Sequence, residues 1–94
     1  MREKAIENQI KKYLKEKKAW YFKVWGGGYQ TAGIPDIIAC YKGYFIAIEV
    51  KNEKGKTTVL QEINLNQIKE AGGITIIART VNDVREVLEN ITII

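Results

Sequence analysis

Apolar residues recur at Ile6, Ile10, Tyr13 and Leu14, at i, i+4, i+7 and i+8, which lays one stripe along a helix spanning residues 3–18. Lysine and glutamate, both good helix formers, fill most other positions. Glu7 lies beside that stripe, three residues before Ile10 and seven before Leu14, so it should point sideways or inward rather than into open water. From Ala19 to Trp25 the chain turns aromatic and β-branched, which favours a strand, and Gly26-Gly27-Gly28 stops it. A polar, glycine-rich loop then runs to Gly33. Asp36 to Tyr41 and Tyr44 to Lys51 read as two strands around a tight turn at Lys42-Gly43. A polar loop from Asn52 to Thr58 leads to a helix over Val59–Ala71, ended by Gly72-Gly73.

Ile74 to Ala78 is almost continuously apolar, which predicts a strand buried on both faces. Asn82 or Asp83 would cap a last helix running through Leu88, followed by the apolar tail Ile91–Ile94. The order α-β-β-β-α-β-α predicts a single-domain α/β fold over residues 1–94, with a mixed central sheet flanked by helices. Cys40 shares the alternation phase of Asp36 and Ile38 and reads as a small buried hydrophobe.

Composition narrows the chemistry. The 94 residues contain no histidine, which removes His-based triads and His-ligated metals, and one cysteine, which removes intrachain disulfides and Cys-rich zinc sites. Reactions must run on carboxylates, lysines, hydroxyls or an oxygen-ligated cation. No apolar run approaches a bilayer-spanning length, and the charged N-terminus is unlike a signal peptide, so a cytoplasmic protein with no membrane partner is expected.

The net charge of +4 is concentrated. Residues 1–23 carry eight Lys/Arg against three Glu, a net of +5, leaving seven against eight, or −1, for residues 24–94. Lysines clustered this way either keep a small protein soluble or neutralise phosphates, releasing condensed counterions. Lys11, Lys15, Lys18 and Lys23 are the candidate phosphate contacts on the first helix and its exit. Gln30 in the glycine-rich loop and Lys54 and Lys56 after the second hairpin strand join them.

Two short segments supply candidate chemistry. In the strand Tyr44–Lys51, alternation puts Phe45, Ala47, Glu49 and Lys51 on one face and Ile46, Ile48 and Val50 on the other. A hairpin turning at Lys42-Gly43 sets Asp36, where its first strand begins, beside Glu49, near the end of its second. Two carboxylates and an amine among apolar strand residues are costly unless paired or holding a cation. Taken separately, Asp36 and the Glu-x-Lys read as no more than an exposed strand-end ion pair.

Taken together, Pro35-Asp36 and, thirteen positions after the aspartate, Glu49-Val50-Lys51, following a helix that bears Glu7, resemble the PD-(D/E)xK nuclease superfamily. Within it the chain is similar to the small phage- and bacterial-type members of the VRR-NUC family. The resemblance extends through Gly33-Ile34-Pro35-Asp36, Ile48–Lys51, the loop Lys54–Thr58, Leu60-Gln61, the helix end Ile68–Gly73 and Val81–Val84. It implies a restriction-endonuclease-like core and a metal-dependent DNA endonuclease. Asp36, Glu49 and the Val50 carbonyl would ligate Mg²⁺ or Mn²⁺, Lys51 would position or deprotonate the attacking water, and Gln61 would hydrogen-bond Lys51, water or phosphate, with Gln67 its alternative. Glu7 would complete the metal site, with Glu3, one turn earlier, its rival. The short members of the family lack a domain for reading base sequence, so branched or junction DNA is the implied substrate. A non-catalytic nucleic-acid-binding module and a subunit of a larger nuclease assembly are the alternatives. The margin residues Trp20, Phe22, Trp25 and Tyr29, with the tail Ile91, Ile93 and Ile94, suggest a homodimer, unless the tail simply finishes the core.

Overall fold

The computed structural model describes residues 1–25 and 32–92. Helix α1 (Glu3–Glu16) is followed by strands β1 (Trp20–Lys23), β2 (Ile37–Tyr41) and β3 (Tyr44–Val50), helix α2 (Val59–Glu70), strand β4 (Ile74–Ala78) and helix α3 (Val81–Glu89). The element order is the one the sequence predicts. The four strands form one sheet in the order β1-β2-β3-β4. The first three are antiparallel, and β4 runs parallel to β3 after the α2 crossover.

The hairpin register follows from its turn. Tyr41 pairs with Tyr44, leaving Lys42 and Gly43 as a two-residue connection with φ of 51° and 87°, the positive angles that a type I′ turn needs. Counting outward, Ile38 faces Ala47 and Ile37 faces Ile48, so the next step brings Asp36 level with Glu49. The pairing of β1 extends one step too, since the Val24 N–H donates to the Asp36 carbonyl at 2.8 Å.

Alternation splits the sheet into two unlike faces. Ile37, Ala39, Ile46, Ile48, Val50, Ile76 and Ala78 join Ile6, Ile10 and Leu14 of α1 and Val84 and Leu88 of α3 in one continuous core. The other face is only partly roofed by α2, whose buried contribution is Leu65. Two burial expectations fail for that reason. Cys40 is exposed rather than buried, because no helix among the described residues covers the second face over β1 and β2. Within β4, Ile76 and Ala78 are buried but Ile77 is not, since its side of the sheet lies under α2, which covers it incompletely.

Helix starts differ as well. Thr80, not Asn82 or Asp83, is the N-cap of α3; the Asp83 carboxylate instead accepts from the N–H groups of Arg79 at 2.8 Å and Thr80 at 3.1 Å. Thr58 caps α2 in a reciprocal box. Its hydroxyl accepts the Gln61 N–H at 3.1 Å, and the Gln61 side-chain oxygen accepts the Thr58 N–H at 2.9 Å. Gly33, at φ 77°, lies against α2, where an added Cβ would come within 2.5 Å of Leu60 Cγ. A residue with a side chain there would push away the approach to Pro35-Asp36.

Candidate active site

Asp36, Glu49 and Lys51 converge at the end of the sheet far from the hairpin turn. Asp36 precedes β2 by one residue, Glu49 is the penultimate residue of β3, and Lys51 follows that strand directly. One Asp36 oxygen, Oδ2, accepts the Val50 N–H at 2.7 Å. Glu49 Oε2 accepts from Gln61 Nε2 at 3.1 Å and lies 3.6 Å from Lys51 Nζ. Gln61 reaches it because the cap box fixes the first turn of α2 directly over the strand end. The side chain of Glu49 is 3% exposed, and its second oxygen, Oε1, is buried with no hydrogen-bond partner. An orphaned carboxylate oxygen beside a second carboxyl is costly, and it is a donor waiting for a cation or a proton.

Electrostatics agree with that reading of the pair. Burial, reinforced by the Asp36 carboxyl against it and only partly opposed by Lys51, pushes Glu49 up to about 8. Two carboxyls and no histidine make an all-oxygen donor set, which suits a hard divalent ion. Asp36 and Glu49 thus fit such an ion, with the Val50 carbonyl on the same short segment.

Glu7 is buried, as its place beside the apolar stripe predicts, whereas Glu3 is exposed. Glu7 does not join the carboxylate pair. Among the described residues, no three Cys, Asp or Glu side chains gather closely enough to hold a metal ion. The reason is a set of lysines. Glu7 Oε2 lies 3.1 Å from Lys4 Nζ and 3.3 Å from Lys11 Nζ, and Oε1 lies 2.8 Å from Lys23 Nζ. Burial alone would raise this carboxyl, but the ammonium groups of Lys23, Lys4 and Lys11 outweigh it and hold Glu7 at about 2. Lys23 Nζ also stands 3.7 Å from Asp36 Oδ1, so one ammonium separates Glu7 from the pair.

The remaining expected site residues divide in two. Lys11 and Lys23 turn toward Glu7, while Lys15, Lys18, Lys54 and Lys56 are exposed. Gln67 lies elsewhere, in an open groove of about 550 Å³ with Phe45, Ile68 and Gly73 at the hairpin-turn end of the sheet. Gln30, Gly26–Gly28 and Tyr29 fall outside the described residues, as do Ile93 and Ile94.

Sequence reasoning missed Lys4, which the i, i+3 spacing to Glu7 could have disclosed. It also missed Arg79, whose Nη1 donates at 2.7 Å to the carbonyls of both Asn52 and Gly55, pinning the turn that follows Lys51. A lone arginine after an apolar strand carries no sequence signal for that role.

The sequence profile of the archaeal Holliday junction resolvase (Hjc) family matches residues 1–91, nearly the whole chain. The chain belongs to that family. It is a family of DNA nucleases. A solved structure described as a VRR_NUC domain superposes with a TM-score of 0.78 at 18% sequence identity, covering 96% of this chain and 97% of that one. At that identity the likeness is one of fold, and the fold is the VRR-NUC one that the motifs resemble. No curated protein matches the chain in sequence. No helix among the described residues is long and apolar enough to cross a membrane.

Proposed function

We propose that the protein is a divalent-cation-dependent endonuclease that cuts branched DNA, four-way junctions first among them. The observation that carries this reading is the buried Glu49 carboxyl, with one unpartnered oxygen, set beside the half-buried Asp36 and beneath a lysine and a glutamine. Membership in the archaeal Holliday junction resolvase family supports the choice of junctions.

Asp36, Glu49 and the Val50 carbonyl would hold Mg²⁺ or Mn²⁺, which when bound supplies charge neutralisation at the scissile phosphate and activation of a water. The chain's own groups do the rest. Lys51, 12% exposed and tethered by Glu49, directs its ammonium group toward the phosphate and the attacking water. Gln61 holds Glu49 in place and has a second N–H available to orient water. The exposed Lys15, Lys18, Lys54 and Lys56 contact the flanking backbone, which positions DNA without reading its sequence.

The working unit is a homodimer. Trp20 and Phe22 on β1 form an edge-to-face pair with centroids 5.5 Å apart, yet they are 62% and 46% exposed on the unroofed face of the sheet. Phe45 continues the patch, and a two-fold contact is the commonest way to cover such a surface. Two copies would also present two sites to the two strands of a junction. The test compares cleavage of linear, flapped and four-way DNA of matched sequence. Four-way DNA should be cut fastest, and equal rates on all three would overturn the junction preference.

A further inference from the structure

Lys23 occupies an unusual position for a surface-strand lysine. It leaves β1 on the α1 side, is only 19% exposed, and places its ammonium group 2.8 Å from Glu7 Oε1 and 3.7 Å from Asp36 Oδ1. Lys4 and Lys11 also reach Glu7, but through its other oxygen and along the α1 surface. Among the described residues, Lys23 alone spans from Glu7 toward the Asp36–Glu49 pair. A single positive charge therefore stands between carboxylates that belong to two different elements.

We propose that Lys23 is a resident counter-cation of the site: its ammonium group holds the gap between Glu7 and Asp36 in the free protein and passes to a DNA phosphate when a divalent cation and DNA bind. The proposal rests on the nuclease reading above. Its chemistry is charge exchange. An ammonium beside Asp36 disfavours a second cation at the same carboxylates by direct repulsion, which at such distances is worth far more than in bulk water. A phosphodiester arriving at the site offers that ammonium an equivalent partner. Glu7 is then freed on its Oε1 side, while Lys4 and Lys11 still neutralise Oε2. Metal and DNA therefore help each other to bind, and by linkage the help is the same in both directions. Without DNA the site holds divalent ions weakly, which keeps the nuclease idle until its substrate is present.

The test is Mn²⁺ binding, measured calorimetrically on the intact protein without DNA, for wild type, Lys23→Met, Lys23→Arg and Lys4→Met. Lys23→Met should bind Mn²⁺ about tenfold more tightly than wild type, and Lys23→Arg should stay within about threefold of wild type. Lys4→Met removes the same charge from the same glutamate, but not from between the carboxylates, and it should gain less than about threefold. Because Lys4 and Lys11 remain on Glu7, Lys23→Met leaves no bare buried charge, and circular dichroism should show its fold intact. In a second arm, four-way DNA is added to proteins carrying Lys51→Ala to suppress cleavage. DNA should tighten Mn²⁺ binding when Lys23 is present and do so much less with Lys23→Met. Equal Mn²⁺ affinity for wild type and Lys23→Met would overturn the proposal while leaving the nuclease reading standing. An equal gain in Lys4→Met and Lys23→Met would also overturn it, by reducing Lys23 to one diffuse charge among several. Failure of every protein to bind Mn²⁺ would remove both readings.

Discussion

The Asp36 carboxylate accepts the backbone N–H of Val50 at 2.7 Å, latching the residue that precedes β2 to the last residue of β3. One carboxylate oxygen is thereby spent on structure, and the other faces Lys23 and the site. An amide can keep the first function without the charge of the second. Asp36→Asn should keep the latch, relieve repulsion with Glu49 at pH 9, where Glu49 is ionised, and raise the melting temperature slightly there in EDTA, while abolishing the stabilisation by Mn²⁺. Asp36→Ala should lose about 1–2 kcal/mol, the cost of a buried donor left unmatched. Thermal melts of the three proteins with and without Mn²⁺ check this. A wild-type melt unchanged at saturating Mn²⁺ would count against a preformed site.

Glu49 and Glu7 make opposite pH demands. Glu49 ionises at about 8 in the folded chain, against 4.5 for an ordinary glutamate, so between those values the folded state keeps a proton that the unfolded state has released. Stability in EDTA therefore falls as pH rises from 4.5 through 8. Glu7 ionises at about 2, so its contribution is complete above pH 4.5 and is lost as pH falls toward 2. Urea denaturation in EDTA across pH 3–9 should show greatest stability near pH 5. A maximum at pH 8 would mean that Glu49 ionises well below pH 8 in the folded chain. Mn²⁺ should stabilise the protein more at pH 8 than at pH 5, because at the lower pH it must displace the Glu49 proton.

Arg79 acts on the site at one remove. Its two hydrogen bonds hold the turn from Asn52 to Gly55, and a Cβ at Gly55 would sit 3.3 Å from Lys51 Cδ, so that turn packs along the lysine stem. Arg79→Ala should lower kcat about tenfold or more with a smaller change in KM, since Lys51 loses its orientation rather than its charge. It should also cost about 1–3 kcal/mol of stability, since the Gly55 carbonyl loses its arginine donor and the Asn52 carbonyl keeps only the Gly55 N–H. Arg79→Lys supplies one donor in place of the fork and should recover part of the loss. Single-turnover cleavage of junction DNA separates this from a purely structural effect, which would lower the amplitude, set by the active fraction, and leave the rate constant unchanged.

Hairpin arithmetic made the centre of the site legible in the sequence. A two-residue turn at Lys42-Gly43 and a period of two suffice to bring Asp36 beside Glu49 and to put Lys51 on the same side. The inward lean of Glu7 was legible too, from its place beside Ile10 and Leu14. What its carboxylate meets was not, because Lys23 lies sixteen residues away on another element and reaches Glu7 only through packing of α1 on the sheet. Cys40 and Ile77 misled for a related reason. Alternation tells which residues share a face, but not whether a helix long enough to cover that face will lie over it. The exposed Trp20, Phe22 and Phe45 come from the same incomplete roof.

That roof yields a prediction about assembly. Light scattering at micromolar concentration should give about twice the 10.7 kDa of a single chain. Phe22→Glu and Phe45→Glu, which place charge in the apolar patch, should shift the protein toward monomer without unfolding it, because both side chains are already about half exposed. A wild-type mass of 10.7 kDa, unchanged by DNA, would dismiss the dimer.

Single-turnover cleavage of a four-way junction by wild type and Glu49→Gln, each in Mg²⁺, Mn²⁺ and EDTA, bears most directly on the central claim. Glutamine preserves the shape of the side chain and its contact with Gln61, but removes the charge that would hold the ion. Wild type should cut in either metal and not in EDTA, and Glu49→Gln should be at least about a thousandfold slower in both, about 4 kcal/mol in the barrier. Cleavage by wild type at full rate in EDTA, or by Glu49→Gln at wild-type rate in Mg²⁺, would contradict it.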